Sequence, residues 1–187
     1  MPYDAPPELT NPGFNAEDPM NVTMYQSSIP LFLRYLDNLS GILEKGATFA
    51  AEEGIDEKVL AGYRLYPNMF PLTRQVQIAC DVVKGAGARI AGVEAPSFPD
   101  TEVTFDELQT RIENTVAFLQ GLTAQQIDGT EGKDIKLKIG DRELSFKGAE
   151  YLHFWVLPNM YFHITTAYNI LRHVGVDLGK ADFLGAS

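Results

Sequence analysis

The stretch from Lys147 to Gly175, KGAEYLHFWVLPNMYFHITTAYNILRHVG, constrains the fold more than any other part of the chain. It carries all three histidines, the single tryptophan and three of the eight tyrosines. Past Pro158 the apolar and small residues recur at helical spacing: Phe162, Thr166, Ile170 and Val174, with Ala167 and Leu171 alongside. Gly175 suits a left-handed cap after the last turn, and Arg172 and His173 complement the carbonyl end of the helix. Pro158 has no N–H and clashes with a preceding turn. The helix must therefore kink there or restart with Pro158 at its first position. Residues 147–157 read as a helical lead-in.

Three further stretches carry the same period. The first runs from about Thr23 to Glu53, with Ile29, Leu33, Leu36, Leu39 or Ser40, Leu43, Ala47 and Ala50 on one stripe. Thr23 is its expected N-cap, Pro30 falls within its early turns and should bend it, and Gly54 ends it. Residues 56–63 read as a short helix. The second long helix starts near Pro67 or Pro71 and ends at Gly92. Leu72, Val76, Ala79, Val83, Ala86 and Ile90 fall on one side, and Arg74, Gln77, Asp81 and Lys84 on the other, where Asp81 is expected to be a solvated charge. Gly85 and Gly87 weaken that helix but permit a neighbour to come close. Residues 93–103 form a linker. The third helix opens on a capping box, Thr104 with Glu107, buries Phe105, Leu108, Ile112, Val116 and Leu119, and ends near Gly121.

The period then changes to two. Ile135, Leu137 and Ile139 alternate with lysines, and Leu144 and Phe146 flank Ser145, with Gly140-Asp141 between. This predicts a β-hairpin bridging the third helix to the last one. Four long amphipathic helices and one hairpin give an all-α helical bundle, one domain over residues 22–187. Residues 1–21 carry five of the eleven prolines and read as an N-terminal tail. In the C-terminal tail, Phe183 and Leu184 are expected to dock on the body.

Composition excludes several function classes. A net charge of −10 does not suit nucleic acid or an anionic membrane surface. No apolar run is long enough to span a bilayer, and the N-terminus lacks the basic start and apolar core of a secretory signal. One cysteine, Cys80, allows no internal disulfide and fits a cytoplasmic location. Its place in an apolar pattern marks it as a buried, inert thiol.

His153, His163 and His173 lie ten residues apart. On one helix that separates neighbours by about 15 Å along the axis, whereas a zinc–nitrogen bond is about 2 Å. The spacing does not build a metal triad, although a break at Pro158 could move His153. Asn159 and His163, four apart, share a face. They stand where an HxxxH pair would, with asparagine in the first place. His153 and His173 read as ordinary helix residues.

The segments LPNMYFHITTAYNILRHVGVDLGKADFLG and YPNMFPLTRQVQIACDVVKGAGARIAG resemble a bacterial family of uncharacterised function, itself similar to the DinB/YfiT-like four-helix-bundle proteins. The resemblance covers about residues 22–185. It implies an up-down-down-up bundle, often a homodimer. In the wider superfamily a nickel or zinc ion is held by a histidine of the second helix and a late HxxxH pair, and some members are thiol-dependent transferases or hydrolases. Carried over, it makes His163 the one candidate metal ligand, with Asn159 in the place of the first late histidine. The second helix holds no histidine, and Gln75 is the nearest polar residue on its inner edge. One imidazole and two amides suit a transition metal poorly, so no cofactor is expected.

Three readings follow. The first is a small-ligand-binding bundle with a pocket at Gln75, Asn159, His163 and Thr166, since polar residues on an apolar face need partners. The second is a metal-dependent transferase or hydrolase, resting on the resemblance. The third is a structural homodimer through Tyr161, Tyr168 and Arg172, which fall on the other side of the last helix from His163. The first is favoured, with dimerisation compatible with it.

Overall fold

A computed structural model of the protein describes residues 22–186. The expected tail, residues 1–21, lies outside the described residues. The first long helix, α1 (Ile29–Glu52), begins later than Thr23, and Pro30 sits in its first turn. There the missing N–H has no helical partner to lose, so Pro30 starts the helix instead of bending it. Thr23 closes the preceding turn instead, its Oγ1 accepting from the Gln26 amide at 3.2 Å. The buried stripe is Ile29, Phe32, Leu36, Leu39, Ile42, Leu43 and Ala50, while Leu33 and Ala47 lie at its edge.

A short α2 (Glu57–Ala61) follows, capped by Asp56. The second long helix, α3 (Leu72–Ala91), starts after Pro71 and stops at Gly92, whose φ of 75° is left-handed. The third, α4 (Phe105–Gln120), has the full capping box: Glu107 N donates to Thr104 Oγ1, and Glu107 Oε2 accepts from Thr104 N. After a turn of helix, α5 (Ala124–Ile127), the strands β1 (Asp134–Ile139) and β2 (Arg142–Lys147) pair antiparallel with Ile139 opposite Arg142. Gly140, at φ 57°, supplies the positive φ of the two-residue turn. Ile135 and Leu137 are buried on the inner face of β1, opposite Phe146 and Leu144.

The chain enters its last long helix through a single helical turn, α6 (Gly148–Glu150), and a π-helical segment, Tyr151–Val156. The helix α7 (Leu157–His173) then starts with Pro158 in its first turn. A short α8 (Lys180–Leu184) ends the described chain. The helix α7 packs mainly on α3, α4 joins α3 to α1, and α8 lies on α1. One continuous core fills the space between them, with Cys80, Val83, Phe32, Leu108, Met160 and Ile164 inaccessible to solvent. A Cβ on Gly87 would stand 2.7 Å from Leu122 and 2.9 Å from Leu119, so this glycine sets how closely α4 and its following turn approach α3. Among the described residues no helix is long and apolar enough to cross a membrane.

Two expectations change. Phe162 is 57% exposed, whereas Thr166, Ala167, Ile170 and Leu171 are buried as their spacing requires and are joined by Met160, His163 and Ile164. Phe162 lies at the edge of that face, so apolar character alone does not fix its centre. The polar face of α3 is solvated only in part, at Asp81 and Arg74. Residues 93–103 cross it, and Gln77, Lys84 and, on α4, Arg111 are buried there. Arg111 Nη1 donates to Glu102 at 2.8 Å and to the Pro99 carbonyl at 3.2 Å. Its Nη2 lies 3.0 Å from both Asp81 and Asp100, as an ion contact without hydrogen-bond alignment. Lys84 pairs with Asp81 at 2.8 Å and sits 4.1 Å from the centre of the Phe98 ring. Burial raises the Glu102 carboxyl, but hydrogen bonds from Arg111 and Gln77 outweigh it and hold the group below the ordinary carboxylate range.

A buried guanidinium facing carboxylates cannot be removed without leaving uncompensated charge. Arg111→Ala is expected to lower the unfolding free energy by about 3 kcal/mol. Lys136→Ala, which breaks the exposed Lys136–Glu143 pair, should cost less than about 1 kcal/mol. Urea denaturation of both variants checks the contrast.

Candidate functional site

The helices α3 and α7 carry opposite halves of the site because their apolar stripes press together along most of their length. Gln75 lies in the first turn of α3 and is 1% exposed; His163, in the middle of α7, is 8% exposed. His163 Nδ1 is 2.7 Å from Gln75 Oε1, and Gln75 Nε2 donates to the Phe70 carbonyl at 3.0 Å. The ring of Phe162 meets the imidazole edge to face, centroids 5.2 Å apart. Among the described residues Nε2 of His163 makes no hydrogen bond within the chain. Burial, with a smaller contribution from the positive charge of Arg74, lowers the imidazole pKa from 6.5 to about 4. His163 is thus an uncharged ring at neutral pH, beside the exposed ring of Phe162.

The other two pocket candidates bond to their own helix. Asn159 Nδ2 donates to the Trp155 carbonyl at 2.6 Å, and Thr166 Oγ1 donates to the Phe162 carbonyl at 2.7 Å. The structure therefore joins Gln75 to His163 and leaves Asn159 and Thr166 beside them on α7, bonded elsewhere. Three surface cavities, of about 310, 520 and 310 Å³, lie along α1 and are lined by none of these four residues.

Of the interface candidates, Tyr161 packs edge-on against Tyr35, centroids 4.9 Å apart, and burial pushes its phenol up. Tyr168 reaches the Leu178 carbonyl at 3.5 Å and faces Phe183, which also packs on Tyr35. These rings hold α8 against the body, so Phe183 docks as its apolar character requires. Arg172 remains exposed, near the Val176 carbonyl. His153 and His173 are exposed too, His173 beside the ring of Tyr63. Cys80 is fully buried, and burial pushes its thiol up to about 12, too high for a nucleophile.

Sequence reasoning missed the supports around the pair. The Phe70 carbonyl that orients Gln75 leaves no trace in residue type. Arg74, adjacent to Gln75, was legible as a charge but not as a neighbour of the imidazole.

The nickel or zinc ion that the resemblance implies needs converging anionic or imidazole donors. Here one imidazole meets an amide whose two ends are already bonded, to His163 and to Phe70. Among the described residues no three histidine, cysteine or carboxylate side chains gather as a metal site. The donor set does not fit such an ion.

These elements define a mostly helical domain with one β-hairpin and a glutamine–histidine pair clasped between its second and last long helices. The chain belongs to the family described as Domain of unknown function (DUF1993), which matches residues 24–184. Its fold is similar to the crystal structure of a DinB family member protein from Shewanella denitrificans, with 39% sequence identity and a TM-score of 0.78 over 87% of this chain and 92% of that one. No functionally curated protein matches the chain.

The depressed imidazole pKa has a consequence for stability. Below pH 6.5 the unfolded chain takes up a proton at His163 that the folded protein refuses until about pH 4. Stability from this residue is therefore complete above pH 6.5 and falls as the pH drops through that window. Allowing for solvent at the ring edge, the loss should be about 2 kcal/mol. Denaturation of wild type and His163→Gln at pH 7 and pH 4 checks it: the difference between the two proteins should change by that amount.

Proposed function

We propose that this DUF1993 domain is a non-catalytic, small-ligand-binding bundle of up-down-down-up topology, acting as a cytoplasmic homodimer. The observation that carries the reading is the uncharged imidazole of His163, gripped at Nδ1 by Gln75 while, among the described residues, Nε2 has no hydrogen-bond partner, beside the exposed ring of Phe162. A polar atom kept available beside apolar surface is how small-molecule sites orient their ligands. Metal-dependent transfer or hydrolysis, an activity of the DinB type, has no support in the donor set.

In a thermal-shift screen of small polar aromatics, compounds that stabilise the wild type should lose that effect on His163→Ala, which keeps its fold. Identical shifts on both proteins would refute the site. Mass spectrometry of protein purified without a histidine tag should find no stoichiometric nickel or zinc; a full equivalent would restore the metalloenzyme reading. For the dimer, light scattering should give twice the 20.7 kDa chain mass, reduced by Arg172→Glu, and a monomeric mass at high concentration would remove it.

A further inference from the structure

The hydrogen bonds around Gln75 fix more than the position of His163. The Phe70 carbonyl can only accept, so the Gln75 NH₂ group must face it, 3.0 Å away. That turns Gln75 Oε1 toward the imidazole, 2.7 Å from Nδ1, and a carbonyl oxygen also only accepts. A neutral imidazole has one N–H, and here it must be on Nδ1. Nε2 is left with a lone pair and no proton. Resting on the ligand-binding reading above, the geometry points to a ligand that is a neutral hydrogen-bond donor on a flat apolar body, of the phenol class, with Gln75 as the positioning residue that makes Nε2 the acceptor.

The alternatives fail on charge and polarity. A carboxylate or phosphate would set its own lone pairs against that of Nε2. An organic ammonium can donate, but it would enter the field of Arg74, whose positive charge already acts on this ring. Arg74 is paired with Asp100 and lies 6.0 Å from the Phe70 ring centre, so it weakens cation binding without creating a free anion site. Phe162, set at 89° to the imidazole and itself exposed, supplies the apolar border for a flat body.

The test is long-range ¹H–¹⁵N NMR of the full chain at pH 7. Without ligand, His163 should show a protonated Nδ1 and an unprotonated Nε2. Gln75→Leu should give a tautomer mixture. Gln75→Glu, whose carboxylate also accepts, should keep Nδ1–H and raise the imidazole pKa, which a merely structural role would not do. Phenol, benzoate and benzylamine are then titrated at equal concentrations. Phenol should shift the Nε2 resonance, with benzoate and benzylamine at least about tenfold weaker, the scale of one hydrogen bond made or opposed. A wild-type ring protonated at Nε2 overturns the inference but leaves the ligand reading to the His163→Ala screen. With the Nδ1–H form confirmed, benzoate or benzylamine binding as well as phenol, or no response to phenol, overturns the ligand class. If Gln75→Leu does not fold, the wild-type tautomer and Gln75→Glu still decide.

Discussion

The last long helix depends on how the chain passes Pro158. In an uninterrupted α-helix the amide of residue 158 would bond to the carbonyl of residue 154, and proline has no proton to give. The π-helical segment Tyr151–Val156 resolves this by bonding one residue further back, and the Leu157 amide reaches the Leu152 carbonyl. Pro158 then falls in the first turn of α7, where no donor is required. One extra residue in the turn rotates everything downstream by about 100° relative to a continuous helix. Downstream of it Phe162 is exposed, while Met160, His163, Ile164 and Ala167 are buried on the side of α7 that packs against α3.

The partner helix α3 is the other half of the constraint, since it is covered on both sides. Toward α7 it presents Gln75; toward α4 and the 93–103 linker it presents Gln77, Asp81 and Lys84. Both faces bury polar groups, and buried polar groups must find partners. On the linker side the solution is ionic. Arg111 and Lys84 are answered by Asp81, Asp100 and Glu102, and the linker is held down by the charges it contributes. Between the two sides run Val76, Ala79, Cys80, Val83 and Ala86, small or slender residues that let α3 fill the centre of the molecule.

Much of this was legible in the sequence because it follows from local chemistry. The capping box at Thr104, the stop at Gly92 and the two-residue turn at Gly140-Asp141 are read from a few neighbouring residues, and each stands where spacing puts it. Gln75 was set opposite His163 by the resemblance, as the polar residue nearest the place of the missing second-helix histidine, and the two side chains meet at 2.7 Å. What could not be read depends on contacts across the chain. The exposure of Phe162 required knowing where the neighbouring helices end against α7, since its spacing places it beside the buried stripe. The burial of Asp81's neighbours required knowing that a linker rich in proline and acid lies over them, and Arg111, a charge on a helix otherwise well described by its stripe, carried no local sign of being 2% exposed.

The contrast between the two buried bases shows what kind of chemistry the site supports. Arg111 keeps its charge because three carboxylates surround it. Among the described residues His163 has no carboxylate against it, and burial, with the charge of Arg74, makes it give up its proton. An imidazole in that state cannot hold an anion by charge. Nor do the amides around it offer the anionic ligands a divalent metal prefers. What remains is directional, uncharged hydrogen bonding from one ring nitrogen beside an exposed aromatic ring, and an amide at Gln75 is the group that secures it, because it accepts from the ring without changing the ring's charge.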